Sequence, residues 1–185
     1  MLSLIVCSRH PERLANLTRN VKDTIGCPHE WVVIDNASGE HTIFSAYNFG
    51  ADQSQGEILC FLHEDIFFHS PDWSHVLMEH LADPTCGFVG VSGGSLMPRV
   101  PASWSAYDTI SYLIQSKQEG KERVFITHGH FNGGHYKEAV ALDGLFLAVR
   151  KDVFAHLRFD EETFHGFHGY DIDICLQAHV LGYHN

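Results

Sequence analysis

Short polar clusters follow directly after apolar runs at three places in the first half of the chain. They are Cys7-Ser8-Arg9, Asp35-Asn36 and His63-Glu64-Asp65. In an open parallel sheet, ligands bind in the crevice beyond the carboxyl ends of the strands, where such clusters would lie. A carboxylate such as Asp35 can accept hydrogen bonds from a base N–H or a ribose hydroxyl. The clusters therefore predict a binding cleft at this edge of a sheet.

The His63-Glu64-Asp65 cluster also suits a metal ion. His63 and Asp65 are two residues apart in an extended segment, so both side chains can point to one side. A hard cation placed there would bridge carboxylate and pyrophosphate oxygens. The competing interpretation is that these Asp residues cap the following helix or turn, as Asp and Asn commonly do. Both interpretations stay open for Asp35, whereas the cluster at Asp65 favours the cation.

Two further carboxylates, Asp171 and Asp173, open the last predicted helix. The helix dipole stabilises acidic residues at that position, which explains one of them without any function. At a spacing of two residues they do not share a helix face. One of them can therefore project into a cleft and take a proton from an acceptor hydroxyl.

Fifteen histidines form a high count, and several lie in a glycine-rich segment at residues 127–136. His128, His130 and His135 are metal-ligating residue types, but their glycine-rich spacing favours a surface or substrate-lid loop. His165 and His168, beside Gly166 and Gly169, either line the acceptor side of a cleft or lie in a solvated loop.

Alternating strands and helices must position these groups. Apolar runs predict strands at residues 2–7, 31–34, 58–62 and 88–91, and amphipathic patterns predict helices at 11–25, 43–51 and 73–81 between them. This order implies an α/β fold with a mostly parallel sheet and helices on both faces. The second half predicts helices at 106–118, 151–157 and 170–181 and strands at 139–142 and 145–149. We expect one domain over residues 1–185, with a ligand-binding half at 1–91 and an acceptor half at 92–185.

Composition limits the classes of function. The 185 residues are 44% apolar and carry 12 Lys and Arg against 23 Asp and Glu, a net charge of -11. Nucleic acid and anionic membranes would be repelled by this surface. Five scattered cysteines without a C-x-x-C pair suggest a reducing compartment. The start lacks a basic leader, and no apolar run approaches a transmembrane length, so we expect a soluble, cytoplasmic protein.

Six segments, in order, resemble the family 2 glycosyltransferases of the GT-A fold. They cover residues 3–8, 31–38, 46–51, 56–65, 142–150 and 169–183, nearly the whole chain. The His-Glu-Asp cluster and the His- and Gly-rich insert place it in a divergent branch of that family. The resemblance implies a GT-A (Rossmann-like) nucleotide-diphospho-sugar transferase fold.

The resemblance also implies a reaction and a set of residues. A sugar would pass from a nucleotide-sugar donor, expected to be a UDP-sugar, to an unknown acceptor hydroxyl with inversion, assisted by Mn²⁺ or Mg²⁺. Asp171 would be the catalytic base, and Asp65 would hold the metal ion. The nucleotide-binding residues would be Cys7, Ser8, Arg9, Asp35, Asn36, His63 and Glu64. The acceptor- or sugar-binding residues would be Asp143, Gly144, Tyr170 and His168.

Three residues depart from the family pattern. His63 replaces the first Asp of the D-x-D motif, Tyr170 replaces the acid that usually precedes the base, and Gln177 stands where a basic residue is frequent. The chain also ends before a strand that the family commonly has, which suggests a truncated domain.

These departures keep other functions open. The main alternative is a nucleotide- or sugar-nucleotide-binding protein with degraded catalysis that acts as a binding or regulatory module. A metal-binding protein built on His128, His130 and His135 is a weaker hypothesis. An NAD-type oxidoreductase is disfavoured because no G-x-G-x-x-G follows the first strand.

Overall fold

The structure is a computed structural model that describes residues 1–99, 102–106, 108–119, 122–128 and 136–185. The strands are β1 (Leu2–Ser8), β2 (His29–Asp35), β3 (Ile58–Leu62), β4 (Phe88–Val89), β5 (Ser92–Gly94), β6 (Thr109–Ser111), β7 (Leu113–Glu119), β8 (Glu122–His128), β9 (Ala141–Leu142) and β10 (Phe146–Arg150). The helices are α1 (Pro11–Thr24), α2 (Ile43–Gln53), α3 (Trp73–Leu81), α4 (Lys151–Phe154) and α5 (Tyr170–Val180).

In the described part of the chain, the central sheet has five strands in the order β2-β1-β3-β10-β4. β1 pairs in parallel with β2 and β3, whereas β10 is antiparallel to both β3 and β4. Four strands therefore run in one direction, which confirms the predicted mostly parallel sheet. The register sets Ser8 opposite Asp35 and Val6 opposite Leu62. The three predicted polar clusters consequently meet at one edge, which we call the carboxyl edge.

Both faces of this sheet are covered, because the strands are apolar on both sides. On one face Ile5 and Phe61 pack with Phe44 and Tyr47 of α2. On the other face, β1 and β3 pack against Leu17 of α1 and other apolar residues of α1 and α3. The first three predicted helices are therefore confirmed, with ends that differ by a few residues.

The helix predicted at residues 106–118 is wrong. A 3-10 turn at Trp104–Ala106 is followed by β6 and β7, and β7 pairs with β8 from Leu113 opposite His128 to Glu119 opposite Glu122. Thr109, Tyr112 and Ile114 are β-branched or aromatic, and such residue types prefer the pleated surface of a strand. The predicted loop at 127–136 falls largely at residues 129–135, outside the described part of the chain.

A small sheet carries the second half of the chain to the carboxyl edge. Its order is β6-β5-β9, and the turn after β9 then enters β10. The N–H of Asp143 donates to the carbonyl of Ser92 at 2.7 Å, and the N–H of His63 donates to the carbonyl of Leu145 at 3.0 Å. The first bond ties the β9–β10 turn to β5, and the second brings the turn against the end of β3. α5 follows the prediction closely, and α4 is shorter than the predicted 151–157.

Within the described ranges, no helix has both the length and the apolarity needed to cross a membrane.

Candidate active site at the carboxyl edge

Three segments meet around His63: the end of β3, the β9–β10 turn and the start of α5. His63 Nε2 lies 2.7 Å from the Tyr170 hydroxyl. Burial lowers the pKa of His63, and nearby carboxylates act in the opposite direction without overcoming it. Those carboxylates are Asp65, Asp143, Asp171 and Glu64. The structure therefore brings a neutral imidazole and several sequence-predicted acids to one place.

Asp171 is held from two sides at the start of α5. Its Oδ2 accepts the N–H of Gly144 at 3.2 Å, and its Oδ1 accepts the N–H of Ile172 at 2.9 Å. Burial raises the pKa of Asp171 in spite of these hydrogen bonds, and the charge of Asp143 adds to the rise. A fixed carboxylate with a raised proton affinity has the properties of a general base.

Asp143 and Gly144 form the turn that faces α5. Asp143 is half-buried, and its Oδ1 accepts the N–H of Leu145 at 3.0 Å. A Cβ added at Gly144 would overlap the phenol of Tyr170. Glycine is therefore required at residue 144 for space, and that space is filled by Tyr170.

Tyr170 is buried, with 3% of its surface exposed. Its ring lies edge-on to Tyr47 at 5.7 Å and to Phe44 at 6.1 Å. Burial raises the pKa of its hydroxyl, so this group is a neutral hydrogen-bonding partner at physiological pH. The structure thus places Tyr170 beneath the cleft, in contact with His63.

Glu64 points toward the loop between β1 and α1. Its Oε2 accepts hydrogen bonds from the Ser8 hydroxyl at 2.8 Å and from the N–H groups of Arg9 and His10 at 3.0 Å. Its side chain is only 12% exposed. Burial alone would raise the pKa of Glu64, but these hydrogen bonds outweigh it and lower the pKa. Glu64 therefore holds the Cys7-Ser8-Arg9 segment in its conformation.

Replacing Glu64 by Ala is expected to destabilise the fold by about 1.5–3 kcal/mol, because three donors lose a charged acceptor. The pKa of Glu64 is lower in the folded chain than in the unfolded chain. The stabilisation is therefore fully present at pH values above the pKa of the unfolded carboxyl, and it is lost as the pH falls through the pKa of the folded one. Urea unfolding at several pH values measures both effects. Glu64→Gln, which keeps an acceptor oxygen, is the control and should lose less. An equal loss in both variants at all pH values would contradict the assignment.

Asp65 is the most accessible acid of the cluster. Arg13 Nη1 lies 3.2 Å from Asp65 Oδ2, with the two side chains 53% and 54% exposed. Exposed pairs of this kind stabilise by about 0.2–1 kcal/mol, so a cation or a diphosphate can compete for either partner. Arg13 was not among the residues predicted from the sequence, although its place in the first turn of α1, after Pro11, was a usable signal.

The donor chemistry at Asp65 fits a divalent ion only in part. Within the described residues no three His, Cys, Asp or Glu side chains form a group that would hold a metal ion. A carboxylate oxygen suits Mn²⁺ or Mg²⁺, and Mg²⁺ in particular is commonly held by one or two carboxylates together with substrate phosphates. Asp65 fits that arrangement, in which a diphosphate supplies further oxygens. His130 and His135, for which the sequence favours a surface or lid loop over a metal site, lie outside the described residues.

The end of β2 contributes one accessible acid. Asp35 is exposed, and its Oδ1 accepts the N–H of Ala37 at 3.0 Å, so it also shapes the turn. Asn36 is buried, and its side chain bonds to both backbone groups of His41 at 2.9 Å. It also donates to Cys7 Sγ at 3.4 Å, and burial raises the pKa of that thiol. Asp35 is thus free to face a ligand, whereas the Asn36 side chain is occupied by its own loop.

Besides Arg13, two further residues that were not predicted from the sequence shape the cleft. Asn20 on α1 binds both backbone groups of Phe68, at 2.9 and 2.7 Å, and so fixes the segment that follows Asp65. Phe167 is half exposed, with its ring 5.5 Å from that of His63. His168 is exposed next to it. The glycine-bounded loop at 166–169 was the available signal for Phe167.

Comparisons with known proteins bear on the family and the fold. A family model described as "Glycosyltransferase like family" matches residues 3–184. Among solved structures, the chain is similar to the mannosyltransferase PcManGT from Pyrobaculum calidifontis in complex with GDP-Man and Mn²⁺, with a TM-score of 0.65 and 13% identity. The match covers 99% of this chain and 53% of that one, so this chain spans about half its length. No curated protein sequence matches significantly. The likeness confirms the predicted fold.

Proposed function

The chain belongs to the glycosyltransferase-like family, and from this premise we propose that it transfers a sugar from a nucleotide-sugar donor to an acceptor hydroxyl. One observation carries the proposal. Asp65, Asp143 and Asp171 come from three separate segments that hydrogen bonds of His63 and Gly144 hold together at the carboxyl edge, where an α/β sheet binds its ligands. Carboxylates at this edge support the proposal, because the resemblance implies one acid that holds a metal ion and another that acts as a base.

The donor is proposed to lie over the ends of β1, β2 and β3. Asp35 would accept a hydrogen bond from the base or ribose, while the exposed Arg9 and Arg13 lie at the start of α1, where they would attract a diphosphate. The family resemblance implies a UDP-sugar. The similar mannosyltransferase is described with GDP-Man, so GDP is the second donor nucleotide to be tested.

Asp65 would hold the Mn²⁺ or Mg²⁺ ion, which when bound offsets the charge of the departing diphosphate. Side chains of the protein carry out the other steps. Glu64 keeps the β1–α1 loop in place. Asp171 accepts the proton of the acceptor hydroxyl, since its raised pKa favours uptake of a proton. A single displacement with one base inverts the anomeric configuration.

The acceptor is proposed to approach from the second half of the chain, residues 92–185, past Asp143 and the exposed His168. Residues 1–91 would bind the donor, within one domain. A cytoplasmic location is part of the proposal and rests on the cysteine pattern of the sequence.

Calorimetric titration of UDP and of GDP, with Mn²⁺ and with EDTA, tests the donor site. We expect metal-dependent binding of one nucleotide and a loss of at least about tenfold in Asp65→Ala, as removal of a carboxylate ligand to the metal predicts. Asp52→Ala is a matched control, because Asp52 also pairs with an arginine, Arg158 at 2.6 Å, but on α2 away from the site. Equal affinities for Asp65→Ala and the unmodified chain would contradict the metal-holding role.

A binding protein without turnover is the second candidate. It is favoured by one observation: His63 and Tyr170, which stand where the family has acids, are both neutral here. This candidate predicts nucleotide binding without release of nucleoside diphosphate from any donor. Measuring diphosphate release with UDP- and GDP-sugars and a mixture of acceptor glycosides separates the two candidates.

A further inference from the structure

The hydrogen bond between His63 and Tyr170 joins the two sides of the candidate site. The residues are 107 positions apart, and their contact is 2.7 Å. His63 lies two residues before Asp65, on the proposed donor side. Tyr170 immediately precedes Asp171, on the acceptor side. The Tyr170 hydroxyl therefore helps to set the distance between Asp65, the acid on the donor side, and Asp171, the proposed base.

The surroundings of Tyr170 leave its ring little freedom. It is 3% exposed and packs among Phe44, Tyr47 and Phe159. The missing Cβ of Gly144 provides the space that the phenol occupies. Because Gly144 also donates its N–H to Asp171, the ring and the proposed base are held by the same turn.

We propose that Tyr170 is a positioning residue for sugar transfer: its hydroxyl, held by His63, fixes the start of α5 and thereby the place of Asp171 relative to the donor. This inference rests on the proposed function. Enzymes gain rate by holding reacting groups in place beforehand, and a displacement of about 1 Å costs about 10²-fold in rate.

Tyr170→Phe removes the hydroxyl and keeps the ring. We expect kcat to fall about tenfold to a hundredfold, with the donor KM changed by less than about threefold, as for a displaced but intact base. Tyr47→Phe is the matched control, because Tyr47 is another buried tyrosine of the same cluster, with its hydroxyl on the carbonyl of Leu62 at 3.3 Å. It should keep kcat within about twofold even if it loses similar stability.

The His63 side of the bond supplies two further variants. His63→Gln retains a hydrogen-bonding group and should restore part of the rate relative to His63→Leu. The double variant His63→Leu/Tyr170→Phe should be no slower than the worse single variant, because residues that act as a unit are not additive. A kcat unchanged in Tyr170→Phe, or additive losses in the double variant, would overturn the proposal.

Hydrogen–deuterium exchange of the intact chain provides a readout that needs no turnover. Tyr170→Phe should raise exchange at residues 63–66 and 170–173 together, whereas Tyr47→Phe should leave residues 170–173 unchanged. If the unmodified chain transfers no sugar, the proposed function fails, and exchange still decides the coupling. Exchange that rises at only one of the two segments would show that the bond does not join them.

Discussion

Replacing Asp171 by Asn is expected to lower kcat by about 10²–10⁴-fold, the usual contribution of a general base. The amide has nearly the shape of the carboxyl but cannot accept the proton of an acceptor hydroxyl. Asp171 contacts the backbone of Gly144 and Ile172, so the affinity for nucleotide over the ends of β1, β2 and β3 should stay nearly unchanged. Initial rates and calorimetric titration of the same preparation test this result. A matching loss of nucleotide affinity would remove Asp171 from the role of base.

The same assignment predicts the pH dependence of the rate. Asp171 must be ionised to act as a base, and burial raises its pKa. On the acid side, kcat/KM should therefore decline with an apparent pKa above about 3.9, the pKa of an ordinary aspartate. The rate is lost as the pH falls through that apparent pKa.

Asp173 supplies the matched control for Asp171. It lies on the same helix, but its Oδ2 accepts a hydrogen bond from Gln177 at 2.7 Å. Asp173→Asn makes the same chemical change two residues away and should leave kcat within about twofold. Asp173 therefore braces α5 through Gln177, while the place of Asp171 in the cleft stays a prediction that this pair of variants tests.

The carboxyl-edge site follows from sequence because its elements are locally specified. Residues 2–7 and 58–62 are apolar enough to be buried on both faces, and Pro11 suits a first helical turn. Once these strands are parallel, the residues after them must share an edge. The fold and the meeting of Ser8, Asp35 and His63 were therefore predictable.

The hydrogen bonds within the site were not predictable from sequence, because they join segments that are distant along the chain. Glu64 resembles a nucleotide ligand in sequence, yet its carboxylate binds backbone groups 54 and 55 residues away. The bond between His63 and Tyr170 spans 107 residues. The wrong helix at 106–118 has a similar origin, since cross-strand pairing with β8 prevails over local helical spacing.

Gly144→Ala is expected to combine a loss of stability with a loss of rate. The new methyl group would overlap the phenol of Tyr170, which is enclosed by other aromatic rings and cannot move away freely. Overpacking of this kind destabilises by about 1–3 kcal/mol, which lowers the melting temperature by about 2–12 °C for a chain of this size. Displacement of the turn also moves the N–H that binds Asp171, so kcat should fall by about 10²-fold.

Two comparisons separate this clash from an ordinary effect of losing a glycine. Gly39 has a φ of +76°, and apart from Gly39 and its chain neighbours no atom of the described residues lies within 4 Å of the position that a Cβ would take there. Gly39→Ala should therefore cost about 1–2 kcal/mol from backbone strain and leave kcat unchanged. In a Tyr170→Ala background the space opposite residue 144 is empty, and Gly144→Ala should then cost much less stability than in the unmodified chain. Thermal unfolding of the four variants of this cycle measures the coupling. An equal cost in both backgrounds would show that Tyr170 is not what requires glycine at residue 144.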